Sequence, residues 1–343
     1  MLVFFSASLS LLVLWCGSSA QPLGKTEERF VKERLTYFRP SYGGKQKEPC
    51  TALFLHATVG IFKKKRPVGT NETWGYGREI MEEVLAMMQS SGLLTQPKTT
   101  VYVTLLGNDA DRRLATGTLR EFNASGNVHV HITGTNLYVA EFPTIKAIQL
   151  FSQHVHADSH LLYFHTKGMR NIGKHAVDWR RYAQYFLIEK HQLCKQALTQ
   201  GYSTCGVQMT GEEYQGNFWW ARAGWVARRE MELLGMKWNM VTRFATEDFL
   251  LSPTVIGSNA VRNHLCLLHV DHNLYDCPTP RALYAALPVS LPDAHSKRGT
   301  IKVPMPGKLA EVTCPATRVV KSKTIKDNHG GACIEKLTLS SAS

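Results

Sequence analysis

The chain has 343 residues, 44% of them hydrophobic, and a formal net charge of +13 at pH 7. That length and apolar content bury a full core and fit one large α/β domain with appendages better than two equal domains; no internal repeat points to a solenoid. The positive balance would ordinarily bring in nucleic acid as a partner; the apolar and small-residue run from Leu2 to Ala20 points instead to the secretory pathway, where nucleic acid is rarely met, which leaves a nucleotide diphosphate, an acidic glycan or an anionic membrane surface for the field to hold. The local basic clusters, Lys63-Lys64-Lys65-Arg66 and Lys321 to Lys326, read more readily as solvated loops than as sites.

Passage into the secretory pathway is read from the first residues. Leu2 to Ala20 is nearly uninterrupted in apolar and small residues and ends in Ser18-Ser19-Ala20, with small side chains at both positions that signal peptidase reads. The stretch also has roughly the 20 residues a spanning helix needs, so residues 1–20 are either a cleaved signal peptide or a membrane anchor. The protein is then expected in the ER or Golgi lumen, or secreted. The sequons Asn71-Glu72-Thr73 and Asn123-Ala124-Ser125 agree with lumenal exposure. Of the eight cysteines, Cys16 falls in the targeting segment, and the remaining odd number leaves one thiol free or paired outside the chain. Short separations offer Cys266 with Cys277 and Cys314 with Cys333 as loop-closing disulfides in an oxidising lumen. Cys194 and Cys205 are either a third bridge or two core thiols. No Cys-x-x-Cys spacing calls for a zinc ribbon.

Residues 21–48 form a polar, helix-prone stalk. The expected catalytic domain, residues 49–276, then alternates strands and helices. Ala52 to His56 is a short apolar strand and Arg78 to Met88 an amphipathic helix. Thr99 to Leu106 and Val128 to Thr133 are further strands. Phe142 to His154 has helical spacing behind Pro143, and His160 to Phe164 is a fourth strand. Val177 to Leu198 reads as one long helix, and Thr204 to Met209 as another strand. Such alternation implies a Rossmann-like α/β domain with a mostly parallel central sheet flanked by helices. Ligands of such sheets bind beyond the carboxyl ends of the strands. Residues 277–343 carry Pro278, Pro280, Pro288, Pro292, Pro304 and Pro306, which interrupt any long element. This extension is expected to wrap the core under disulfide ties or to be partly disordered.

Two segments carry chemistry. The fourth strand runs into His165-Thr166-Lys167-Gly168, so a histidine, a hydroxyl, an ammonium and a glycine sit where a buried strand emerges. Gly216-Asn217-Phe218-Trp219-Trp220 combines a glycine for close approach, an amide that both donates and accepts, and indoles that suit the C–H face of a pyranose; the alternative is that Phe218 and Trp220 are core residues while Trp219 caps a pocket. A third element, Thr246-Glu247-Asp248-Phe249-Leu250, offers adjacent carboxylates, and is also what a helix start looks like.

The order of the His-Thr-Lys-Gly element, the Trp179-Arg180-Arg181-Tyr182 helix, the Gly-Asn-Phe-Trp-Trp element and Glu247-Asp248 resembles a little-characterised group of nucleotide-sugar-dependent glycosyltransferases with the glycosyltransferase-A fold. The resemblance covers roughly Cys50 to Tyr275. It implies transfer of a sugar from a nucleotide-sugar donor to a hydroxyl of a glycan or glycoconjugate. Under it, Asp248 or Glu247 is the general base of an inverting reaction, and His165, Thr166, Lys167, Gly168, Arg180 and Arg181 hold the donor phosphates. Gly216, Asn217, Trp219, Trp220 and His269 contact sugar or acceptor.

Many enzymes of that fold hold a divalent ion on an Asp-x-Asp pair after the fourth strand, where this chain has His165-Thr166-Lys167; Lys167 is the expected substitute. An Asp-x-Asp does occur earlier, at Asp109-Ala110-Asp111. It reads either as a Mn2+ or Mg2+ site or as an ordinary helix start. Two other classes compete. A non-catalytic carbohydrate-binding protein needs Asn217 and the indoles but no convergent Lys167 and carboxylates. A metal-dependent hydrolase needs Asp109, Asp111, His269 and His272 to meet at one point.

Overall fold

The computed structural model describes residues 47–59, 77–124, 126–135, 141–167, 174–210, 213–229, 246–247, 249–251, 264–270, 274, 279 and 281–285, with the backbone of 301–305, 308–312, 319–326 and 332–339. The expected signal or anchor and the stalk up to residue 46 lie outside them. Among the described residues no helix is long and apolar enough to cross a membrane.

In chain order the elements begin with β1 (Thr51–Thr58), α1 (Gly77–Ser90), β2 (Thr99–Leu106), α2 (Asp109–Phe122), β3 (Val128–Gly134), α3 (Phe142–His154) and β4 (His160–His165). There follow α4 (Lys174–Gln184), a π-helical turn (Tyr185–Glu189) and α5 (His191–Thr199). Then come β5 (Thr204–Gly206), β6 (Met209–Thr210), β7 (Glu213–Tyr214), β8 (Trp219–Arg222), α6 (Ala223–Val226), β9 (His264–Cys266), β10 (His269–Val270) and α7 (Arg281–Tyr284). The last strands are β11 (Ile301–Met305), β12 (Lys308–Val312), β13 (Val319–Lys326) and β14 (Ala332–Leu339).

Seven strands form one sheet in the order β3-β2-β1-β4-β8-β5-β9. β1 to β4 are mutually parallel, β8 runs antiparallel to both β4 and β5, and β5 is parallel to β9. Successive side chains of a strand point to opposite faces, so Leu53, Leu55 and Ala57 of β1 join one core with α1, α4 and α5. Ala52 and Phe54 join the other, with α3 and α6. Helices therefore cover both faces, which is why the central strands β1 and β4 are nearly continuous in apolar residues, whereas the edge strand β3 alternates. The architecture is α/β with a mostly parallel, mixed central sheet, as the strand and helix alternation predicts.

Two local outcomes differ from expectation, and a third adds elements the sequence did not indicate. The single long helix is interrupted: the chain widens into the π turn before α5, and the Trp220 indole donates to the Leu187 carbonyl inside that turn at 2.8 Å. Trp219 and Trp220, read as sugar contacts in a turn with core packing of Trp220 as the alternative, lie on β8, where the core needs bulk between β4 and β5. The extension after residue 277 is rich in strands. β11 and β12 form an antiparallel hairpin with Pro304 opposite Leu309, where both strands are edges and a missing N–H is tolerated. β13 and β14 pair antiparallel, and β13 runs parallel to β10 with His269 opposite Val319.

Cys194 and Cys205 form a disulfide joining α5 to β5 (Cα–Cα 5.4 Å, sequence separation 11). Cys266 is buried on β9, its sulfur 3.5 Å from the Leu268 carbonyl, while Cys277 and Cys314 lie outside the described residues. Closing a short loop of this kind stabilises by about 2–4 kcal/mol. Replacing Cys194 and Cys205 together by alanine is expected to lower the unfolding free energy in urea by that amount. An unchanged midpoint in the double variant would mean that the bridge contributes nothing in solution.

Candidate functional site

The strand order reverses between β1 and β4: β2 and β3 lie on one side of β1, and β4 on the other. At such a switch point the loops leaving the carboxyl ends diverge and open a crevice. The β1–β4 register pairs His56 with His165 at that end, so the His-Thr-Lys element emerges at the crevice. Thr166 is 6% exposed and staples the two strands: its N–H donates to the His56 carbonyl at 3.0 Å, and its hydroxyl accepts from the Thr58 N–H at 3.1 Å. Lys167 follows, with its Nζ 3.7 Å from the centre of the Trp179 ring, a cation–π contact that restrains the ammonium. Gly168 lies outside the described residues.

Arg180 and Arg181 sit on neighbouring positions of α4 and so face different ways. Arg180 is 4% exposed. It donates to the Lys167 carbonyl at 2.9 Å and to Glu83 at 3.1 Å, which makes it a clamp on the Lys167 backbone, with two of its donors committed. Arg181 is exposed.

At the centre stands Glu141, which precedes α3 but makes no cap to its own helix. Its side chain is 12% exposed. One oxygen accepts from the Tyr163 hydroxyl at 3.0 Å and from the Asn217 amide at 2.6 Å; the other lies 3.7 Å from His165 Nε2. Burial alone would push the Glu141 carboxyl up. His165, His56, the Asn217 amide and Lys167 together outweigh it and hold the group below the ordinary carboxylate range. His165 Nε2 also bonds the Gly216 carbonyl at 2.6 Å; a carbonyl only accepts, so this nitrogen carries the proton. Phe218 stacks on the His165 ring at 4.5 Å.

The Gly216-Asn217 turn is built for these contacts. Both residues are left-handed, with φ of 84° and 56°, a conformation natural to glycine and tolerated by asparagine. A side chain at Gly216 would come within 3.0 Å of Phe218 and 3.2 Å of Trp179. Asn217, 2% exposed, donates to Glu141 and, at 3.3 Å, to the Thr246 carbonyl, and accepts from the Trp219 indole at 2.9 Å. Trp219 and Trp220 are 1% and 0% exposed, so neither indole offers a face to sugar; both fill the core. Through Thr246 the same hub reaches Glu247, whose charge raises the Tyr163 hydroxyl further after burial and Glu141. Asp248 lies outside the described residues.

His165 and Asn217 thus meet Glu141 directly, Lys167 lies near enough for its charge to act on that carboxylate, and Glu247 acts on Tyr163, one of its hydrogen-bond partners. The sequence reading missed Glu141 and His56: an acid just before Phe142-Pro143 looks like any helix start. His269 is on β10, in a separate three-stranded sheet with β13 and β14, and His272 lies outside the described residues. Asp109 and Asp111 occupy the first turn of α2, behind an Asn108 cap that accepts from the Asp111 N–H at 2.9 Å, and Asp109 pairs with Arg112. Residues two apart on a helix do not face each other, so the two carboxylates do not fit one divalent ion. Among the described residues no three His, Cys, Asp or Glu are grouped to hold a metal.

A family model described as a domain of unknown function, DUF8361, matches residues 69–229, a span that contains Glu141, the His-Thr-Lys-Gly element and the Gly-Asn-Phe-Trp-Trp element. No curated protein matches the chain.

Proposed function

We propose that this protein is a glycosyltransferase of the glycosyltransferase-A type, moving a sugar from a nucleotide-sugar donor to a hydroxyl of a glycan or glycoconjugate in the secretory pathway. The observation that carries the reading is the grouping of His165 and Asn217 on Glu141, with Lys167 beside them and Glu247 next to the Thr246 that Asn217 holds, at the switch point of the sheet, the edge at which α/β folds bind nucleotides. A carbohydrate-binding protein without catalysis would instead want the indoles open to sugar, and they are buried.

In the inverting reaction the acceptor oxygen attacks the anomeric carbon and its proton passes to Glu247 or Asp248 as base. The bond to the diphosphate breaks, and its electron pair leaves with the nucleotide. Lys167, restrained by Trp179 and by the Arg180 clamp on its carbonyl, stabilises that departing charge. Glu141 and the Gly216-Asn217 turn position His165 and, through Thr246, Glu247.

The test is donor hydrolysis and transfer by the purified protein across a panel of nucleotide sugars, with manganese and with chelator. Lys167→Ala is expected to lower turnover by on the order of 100-fold, as is replacing the base by Glu247→Gln or Asp248→Asn, and turnover is expected to survive chelation. Silence of the folded protein across the panel, or full turnover in Lys167→Ala, would refute the reading.

A further inference from the structure

A groove of about 430 Å³ lies along α2, lined by Asp109, Arg112, Arg113, Thr116, Arg120 and, from the carboxyl end of β3, Thr133, with Gly117 at its side. Its volume is within the range of ligand sites. We propose that this groove binds the sulfate or carboxylate groups of an acidic saccharide, the acceptor in the reaction proposed above; the assignment as acceptor rests on that reading.

Three features argue for an oxyanion. Positions 109, 112/113, 116/117 and 120 form one stripe of the helix, so three guanidinium groups share one trough against a single carboxylate. The Arg112 side chain is only 19% exposed and its Nε is buried without a hydrogen-bond partner among the described residues, a donor whose desolvation nothing there offsets. Asp109, 69% exposed, pairs with Arg112 as a mobile carboxylate would, in a place that an incoming sulfate or carboxylate can take over with forked geometry.

Position argues for the acceptor. The groove opens where β2 and β3 end, on the same edge of the sheet as His165 and Lys167. In the order β3-β2-β1-β4 the two places are separated by two to three strand spacings, roughly 10–15 Å. An oligosaccharide of a few units spans that distance.

The experiment measures binding of a fluorescein-labelled sulfated hexasaccharide to the full chain by anisotropy, with the unsulfated hexasaccharide as control. Arg113 and Arg120 are exposed, so Arg113→Glu/Arg120→Glu is expected to fold and to bind at least tenfold more weakly. Around Gly117 an added Cβ meets nothing within 4 Å, so Gly117→Leu is expected to fill the groove and weaken binding without changing charge. Equal affinity in the wild type and both variants, or equal affinity for the unsulfated sugar, overturns the proposal. If uridine diphosphate displaces the probe from Lys167→Ala as well as it does from wild type, the groove holds donor phosphate and the acceptor assignment falls. Binding is read without turnover. Arginine-dependent binding in a protein inactive on every donor therefore sinks the transferase reading and keeps the groove, whereas turnover without probe binding sinks the groove alone.

Discussion

Stability is expected to collapse between pH 6.5 and about 4, because four histidines are folded into surroundings that reject the proton. Burial first, with His165 nearby and Glu141 opposing, brings His56 down to about 4. Burial and then His56 bring His131 to about 3, and burial followed by Arg229 brings His264 to about 3. His160 falls to about 4 through burial, then Lys195 and Arg222, with Asp158 opposing. Two of these rings hold neutral hydrogen bonds: His56 Nδ1 lies 2.8 Å from the Thr144 hydroxyl, which donates to Thr104 at 2.7 Å, and His264 Nδ1 lies 2.8 Å from the Thr204 hydroxyl. In the unfolded chain each histidine titrates near 6.5. Folded values lie below unfolded ones, so this contribution is fully present above about pH 6.5 and is lost as pH falls. Below pH 6 each ring costs on the order of 1.4 kcal/mol per pH unit, about 6 kcal/mol per unit for the four, against a typical total stability of about 5–15 kcal/mol. The buried Trp179, Trp219 and Trp220 make fluorescence the probe. Thermal midpoints at pH 7.5, 6 and 5 are expected to fall steeply, and His264→Asn to reduce the slope by about one proton. A midpoint unchanged from pH 7.5 to 5 would contradict this account.

Glu141→Leu is expected to cost about 3–5 kcal/mol, the price of leaving partners of a buried charge behind. The Tyr163 hydroxyl and the Asn217 amide lose their acceptor, and His165 loses the carboxylate at 3.7 Å. Each stranded buried donor costs about 1–3 kcal/mol. The left-handed Asn217 also loses one of the bonds that over-determine its backbone. Replacing an entire buried pair with apolar groups can be neutral; here the partners stay and the charge goes. Glu141→Gln keeps an oxygen acceptor and is expected to lose less than half as much. Urea unfolding of the two variants measures the difference, and a cost below about 1 kcal/mol for leucine would show that Glu141 is no hub.

The first four strands and the helices between them were readable because each is a long apolar or amphipathic run whose period belongs to one structure. α3, behind Pro143, and β2 have the limits the pattern indicates. The later part was harder. A short strand such as β8 is marked by aromatic residues that suit a sugar platform as well as a core. Local composition cannot say whether an indole will be covered, and here the antiparallel insertion of β8 between β4 and β5 covers both Trp219 and Trp220.

The sequence by itself determined the α/β class and the emergence of His165-Thr166-Lys167 from a buried strand, because each depends on periodicity or on side chains a few residues apart. Only the tertiary structure decided that Glu141 is the hub, that His56 and His165 stand side by side, and that Arg180 clamps the Lys167 backbone. Those relations join residues from 13 to 109 positions apart in the chain, from Lys167–Arg180 to His56–His165. The physical reason is that charge, desolvation and hydrogen-bond satisfaction act through space. They are set by strand order and register, which the pairing of distant segments establishes.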